Sequence, residues 1–305
     1  MREPDHQGFK RGELSARRLS VVVPAYNEAE RGLEKRLDQL RAFLRAGFGS
    51  YELIVVDDGS NDATPEILAR VAAAPQGPAD DSSSQAEIAR IVRLNENQGK
   101  GAAVKAGLQL ATGGMVMFMD ADLATPLDEL SKLIAALDRG ADIAIASRGL
   151  PESDLRRRES FVRESCGKLY NFLTQRLVIS GFKDTQCGFK LFRGDVARAL
   201  APAMTEARFG FDVELVYLAV AAGFKVSEVP VRWEHQPDSR VQFLRDGWFM
   251  LLALLKFGWR KRTRRYHGRL EQIRARFAAE ERLGQQAEPE GPIDSEERIT
   301  PRGNC

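Results

Sequence analysis

A chain of 305 residues with 43% hydrophobic residues has material for one large or two small cores, which excludes a fibrous or wholly disordered protein. Its 45 lysines and arginines stand against 43 aspartates and glutamates, and the resulting charge of +2 gives no bulk electrostatic case for nucleic-acid binding. The cysteines Cys166, Cys187 and Cys305 have no metal-like spacing, and so small and odd a number fits a reducing, cytoplasmic compartment rather than a disulfide scaffold.

Residues 1 to 18 are polar and charged and carry no apolar stretch of the signal-peptide kind, so they are expected to form a disordered arm. Leu19 to Val23 reads as a buried strand that Pro24 ends, emptying into the loop Ala25-Tyr26-Asn27-Glu28. A helix follows with Leu33, Leu37, Leu40 and Leu44 on one face. Tyr51 to Val56 repeats the pattern, ending in Asp57-Asp58-Gly59-Ser60-Asn61-Asp62 before a helix near Thr64-Pro65. Residues 75 to 86 form a low-complexity surface insertion. Ile88 to Leu94 is a third strand, and Gly99-Lys100-Gly101 before the next helix is either an anion seat built on backbone amides or an ordinary glycine turn.

Val116 to Met119 is the fourth strand, and it stops at Asp120-Ala121-Asp122. In extended backbone, residues two apart project to the same side, so both carboxylates can face one hard cation that keeps part of its shell for water and phosphate oxygens. The alternative is a solvated turn. Asp142 to Ala146 is fifth and closes on Ser147-Arg148-Gly149. Strands alternating with helices over the first 150 residues argue for a doubly wound, mostly parallel α/β sheet, in which ligands sit outside the carboxyl ends of the strands.

After 151 the alternation stops. A charged loop, a helix around 161 to 179, the segment Asp184-Thr185-Gln186-Cys187-Gly188-Phe189-Lys190-Leu191-Phe192, a helix near 212 to 222 and a late strand from Val226 to Glu234 form the acceptor-side half of the same domain. The domain is therefore placed at 19 to 240. At 241 to 265 a helix apolar nearly all round, with Leu244, Trp248, Leu251 and Leu255 on one side and Met250, Ala253, Leu254 and Phe257 on the other, runs into Arg260, Lys261, Arg262, Arg264 and Arg265. It reads either as an anchor on an anionic membrane surface or as a core helix with a solvated end. Its apolar run falls short of the roughly 20 residues a membrane span needs. The segment 266 to 305 is expected to be helical and then, beyond about 284, disordered.

Six of these pieces, Val21 to Glu28, Val55 to Ser60, Asn97 to Gly101, Met119 to Leu123, Ala146 to Arg148 and Asp184 to Phe192, together resemble the family 2 glycosyltransferases. Within them they are most similar to the polyprenyl-phosphate hexose synthases of the dolichyl-phosphate glucosyl- and mannosyltransferase type. The resemblance implies a GT-A fold, a nucleotide-sugar donor and Mg2+ or Mn2+ held by Asp120 and Asp122. It assigns the nucleotide to Pro24, Tyr26, Glu28, Asp57, Asp58, Lys100, Asp120 and Ala121, and donor or acceptor phosphates to Arg148, Gln186 and Arg240. Asp122 and Arg148 are the residues it makes catalytic. Mannosyl members often carry Gln two residues past the acidic pair, where this chain has Ala124, which looks more like the glucosyl branch.

The expected activity is thus an inverting transfer of a hexose, glucose from UDP-glucose, to a polyprenyl phosphate at the cytoplasmic membrane face. A lipid phosphate is largely a dianion at neutral pH and needs no base. A hydroxyl acceptor would need one, for which Asp184, Asp212 and Glu214 are the candidates. Mannose from GDP-mannose and a cell-wall hydroxyl acceptor remain the alternatives, and no nucleic-acid partner is expected.

Overall fold

The computed structural model describes residues 17–73, 86–157, 161–234, 243–263 and 265–287. The arm before Arg17, most of the low-complexity insertion, Arg240, Arg264 and everything after Ala287 lie outside them, as do the side chains of Leu244 and Trp248. The first half alternates as its apolar runs require: β1 (Arg18–Ala25), α1 (Leu33–Gly47), β2 (Ser50–Asp57), α2 (Thr64–Ala73), β3 (Ala86–Arg93), α3 (Lys100–Leu110), β4 (Met115–Met119), α4 (Leu130–Asp138) and β5 (Ile143–Ser147). The second half contains β6 (Asp154–Arg157), α5 (Phe161–Leu177), β7 (Phe189–Arg193), α6 (Gly194–Leu200), α7 (Phe211–Ala222), β8 (Val226–Pro230), β9 (Arg232–Glu234), α8 (Phe243–Arg262) and α9 (His267–Ala287).

One seven-stranded sheet runs in the order β3-β2-β1-β4-β7-β5-β8, and β6 pairs with β9 in a small second sheet. Every neighbour in the large sheet is parallel except β7, which runs antiparallel to both β4 and β5. Alternate residues of the strands feed two cores. Val22, Ile54, Val116 and Phe118 pack beneath α3, α6 and α7, while Val21, Val23, Leu53, Val55 and Met117 pack beneath α1, α2 and α4. Apolar side chains on both sheet faces are what a doubly wound arrangement demands of its strands.

Three features differ from the reading of the sequence. The segment Phe189–Arg193, taken there as part of a motif, is a central strand with Lys190 fully buried inside it. Burying an ammonium in a sheet requires a partner, and Asp212 on α7 supplies it across the core. The single late strand is split: β8 ends at Pro230, which has no N–H to continue a ladder, and β9 turns away to pair with β6. In α8, Ala253, Leu254 and Phe257 are buried in the core beside Tyr266, Leu270 and Ile273 of the following segment. Parts of α8 and α9 therefore complete the same core, and among the described large apolar side chains of α8, Phe249, Leu252, Leu255 and Trp259 are turned outward.

Candidate active site

Parallel register brings the polar strand ends to one edge. Ala25 lies beside Asp57, Val22 beside Phe118 and Met119 beside Phe189. Because β7 is antiparallel, the segment entering it, Gln186 to Gly188, arrives at the edge where the acidic pair leaves β4. Asp120 donates its backbone N–H to the Gly188 carbonyl at 2.9 Å. A Cβ on Gly188 would stand 2.1 Å from the Asp120 carboxylate, so glycine is the residue that lets these two segments touch.

The loops after β1 and β2 lock together through short polar side chains. Asn27, in the left-handed region at φ 52°, donates its N–H to Ser60 Oγ at 2.8 Å and accepts from the Asn61 N–H at 2.8 Å. The Glu28 N–H bonds Thr64 Oγ1 at 2.8 Å, and the Glu28 carboxylate lies 3.6 Å from Arg31. Tyr26 is half-buried in this loop. Asp57 is 1% exposed, accepts the Ser60 N–H at 2.9 Å and pairs with Arg93 at 3.4 Å. Asp58 is equally buried and accepts from the Gln98 and Gly99 N–H groups at 2.8 and 2.9 Å and from Asn97 at 3.1 Å. Burial pushes the Asp58 carboxyl up, against the amides that favour its charge. The Asp58 oxygens face the Asn97 to Gly99 loop, which they hold down at the edge of the sheet.

Asp120 and Asp122 line one cleft with Met119, Leu123, Thr125, Gly188 and Trp233. Leu123 adopts φ 54°, a left-handed turn that a leucine rarely takes and that folds the backbone back under the pair. Asp122 accepts the Ala124 N–H at 3.0 Å. Burial, and then the neighbouring charge of Asp120, raise the Asp122 carboxyl above its ordinary value. Lys100 sits 2.7 Å from Asp120. Its burial works against the charge, but Asp120 and Asp212 outweigh it and the ammonium is held above its usual range. Two carboxylates crowded into one cleft are hard oxygen donors of the kind Mg2+ and Mn2+ take, with the rest of the shell left to water and phosphate oxygens. No group of three or more His, Cys, Asp or Glu side chains that could hold a metal occurs among the described residues.

Across the cleft, Arg148 at the end of β5 is gripped by Asp184. Nε and Nη2 donate to the carboxylate at 2.6 and 3.0 Å, and the Arg148 backbone N–H adds a bond at 3.0 Å. Burial alone would raise the Asp184 carboxyl, yet the Arg148 guanidinium and the surrounding donors lower it to about 2. Glu228 of β8 in turn accepts the N–H groups of Lys183 and Asp184 at 2.8 Å each. Gln186 contributes its backbone N–H to Asp184 at 3.0 Å. The Arg148 guanidinium carbon lies 5.4 Å from the ring centre of Trp233. Arg240 lies outside the described residues.

The carboxylates considered as general bases are all committed elsewhere. Asp212 is ion-paired to buried Lys190. Glu214 is fully buried and accepts from the N–H groups of Thr205 and Glu206 at 2.7 Å each. Asp184 holds Arg148. The sequence reading held Gly188 only as one residue of the Asp184 to Phe192 motif and passed over Trp233, because a lone tryptophan carries no spacing signal; the antiparallel β7 and the split after Pro230 bring the two to the cleft.

Comparison with known proteins agrees with this geometry. Residues 20–200 match the model of Glycosyl transferase family 2. The dolichyl-phosphate beta-glucosyltransferase of Drosophila melanogaster is 38% identical over 260 residues, covering 79% of this chain and 77% of that protein. The human protein of that name is 31% identical over 262 residues, covering 80% and 78%, and glycosyltransferase AglD of Haloferax volcanii is 33% identical over 250 residues, covering 81% and 38%. In fold the chain is similar to glucosyl-3-phosphoglycerate synthase of Mycobacterium tuberculosis in complex with Mn2+, UDP and glucosyl-3-phosphoglycerate, with a TM-score of 0.58, 21% identity and coverage of 84% and 86%. A mostly parallel GT-A-like sheet with an acidic pair at its switch edge, matched over more than half its length by the family model, makes this chain a member of the family 2 glycosyltransferases.

Proposed function

We infer that the protein transfers glucose, with inversion, from UDP-glucose to a polyprenyl phosphate at the cytoplasmic face of a membrane. The observation that carries this reading is the state of the carboxylates: Asp184, Asp212 and Glu214 are each tied up in buried bonds. A site without a disposable base suits a nucleophile that brings its own charge, as a lipid phosphate does. The curated relatives, named for a dolichyl-phosphate acceptor and a glucosyl group, support it.

In this reading Asp120 and Asp122 hold Mg2+ or Mn2+, which when bound neutralises charge on the departing diphosphate. Pro24, Tyr26, Glu28, Asp57, Lys100 and the Ala121 backbone surround the nucleotide. Arg148, oriented by Asp184, and Gln186 hold the acceptor phosphate in line behind the sugar, so that orientation is settled before chemistry. Back-side attack of a phosphate oxygen on the anomeric carbon expels UDP and inverts the centre. Phe249, Leu252, Leu255 and Trp259 of α8 face outward, next to Arg260, Lys261, Arg262 and Arg265. Such a face buries apolar surface at the acyl boundary while its cations meet anionic headgroups. No helix among the described residues is long and apolar enough to cross a membrane.

The test is a parallel incubation with labelled UDP-glucose and GDP-mannose in the presence of polyprenyl phosphate, followed by organic extraction. Label from UDP-glucose alone should enter the lipid phase. Label appearing only from GDP-mannose, or only in water-soluble product, would overturn the donor or the acceptor respectively.

A further inference from the structure

We propose that Trp233 is the wall that keeps water from the sugar and fixes Arg148, so that it sets the ratio of glycosyl transfer to donor hydrolysis. Two aromatic residues line the cleft marked by Asp120, Asp122 and Thr125: Phe189, which is 1% exposed and belongs to the core, and Trp233, which is only partly buried. Its position is built from several sides. The N–H of the next residue, Glu234, bonds the carbonyl of Ala124, just past the acidic pair, at 2.9 Å. The preceding residue, Arg232, is ion-paired with Glu129 at 2.5 Å and also with Asp128, both of which follow that pair in the chain. β9 is thereby clamped to the loop that carries Asp122, and Trp233 is carried with it. From the other side the Arg148 guanidinium, already fixed by Asp184, lies over the ring. A ring held between the metal loop and the acceptor arginine can do what a flexible aliphatic residue cannot: exclude water from the anomeric carbon and restrict the guanidinium through its π-face.

This inference rests on the reading of Arg148 as the acceptor-side group. In transfer, the bond from the anomeric carbon to UDP breaks as a bond to an acceptor phosphate oxygen forms. In hydrolysis, a water oxygen takes that place, its proton passes to solvent and free glucose leaves. Both routes release UDP, and only the first consumes acceptor, so the two rates can be measured separately.

The experiment compares native protein, Trp233→Leu and Trp233→Phe for glucolipid formation, for UDP release without acceptor and for UDP affinity by calorimetry. Trp233→Leu should lower the ratio of transfer to hydrolysis by about tenfold and raise the acceptor KM several-fold, with UDP affinity within twofold, the scale expected for losing a partly buried aromatic–cation contact together with the wall it forms. Trp233→Phe, which keeps a ring, should restore most of the ratio. An unchanged ratio in Trp233→Leu, or a loss of UDP affinity equal to the loss of transfer, would overturn the wall. Absence of glucolipid from the native protein would instead sink the proposed function, and faster UDP release by Trp233→Leu without acceptor would still decide the water-exclusion claim.

Discussion

The two sides of the cleft are assembled by different physics. On the donor side, carboxylates and amides close short loops onto backbone N–H groups: Asp57 onto Ser60, Asp58 onto Gln98 and Gly99, Asn27 onto the loop of Ser60 and Asn61. On the side proposed for the acceptor, long side chains reach across the fold: Arg148 to Asp184, Arg232 to Glu129, Lys190 to Asp212. Backbone-directed bonds fix a loop with little side-chain entropy at stake, whereas each long-range ion pair must order rotamer-rich chains. The edge built by the β1 and β2 loops is therefore a preset rim, and the edge built around Arg148 and Arg232 is a set of coupled pairs in which one change releases several groups.

That contrast predicts a hierarchy of effects. The largest belongs to the acidic pair where the two sides meet: Asp122→Ala should cut kcat/KM by roughly a thousandfold with an unaltered melting temperature. A normal rate after metal removal would show that these carboxylates only shape the turn. Next, Gly188→Ala should lower kcat by about a hundredfold, because its new Cβ must displace the Asp120 carboxylate and misplacement of that order is costly. Recovery of rate at high metal concentration would point to cation affinity as the lost quantity.

Smaller effects separate structure from chemistry. With a folded-state pKa of about 2 against an ordinary 3.8, Asp184 stabilises the fold above about pH 4, and that contribution is lost as pH falls toward 2. The depression corresponds to roughly 2 kcal/mol. Asp184→Asn should thus lower stability by about that amount at neutral pH, flatten the acid limb of an unfolding titration and raise the acceptor KM more than the donor KM. Equal slopes in the two proteins below pH 4 would exclude the pair as the cause. The mildest change is at the periphery: Leu255→Glu combined with Trp259→Glu should reduce binding to anionic vesicles by about tenfold while leaving turnover with a short-chain soluble acceptor within twofold. Unchanged sedimentation with such vesicles would move the docking surface off α8.

Much of the donor side was legible in the sequence because its signals are local. Apolar runs stopping at Pro24, Asp57 and Asp120 marked strand ends, and polar clusters after them marked the rim. The other side was less legible because its ion pairs break the local patterns by which elements are recognised. Lys190 inside a strand contradicts the apolar pattern by which strands are recognised, and only the packing of α7 against the sheet reveals Asp212 as its counter-charge. The α8 helix offered two readings, and the structure divides its faces between core and surface.

By itself, then, the amino-acid order determined the alternating α/β plan, the acidic pair at a strand exit and the family resemblance, since each depends on residues within a few positions of one another. What only the folded chain decided was the antiparallel course of β7, the close meeting of Gly188 with Asp120, the engagement of every candidate base, and the placing of Trp233 beside Arg148. Most of those features join residues tens of positions apart, and even the short-range bonds of Glu214 to Thr205 and Glu206 form only because the chain folds back there. They follow from burial and charge pairing in three dimensions, for which a linear pattern carries no period.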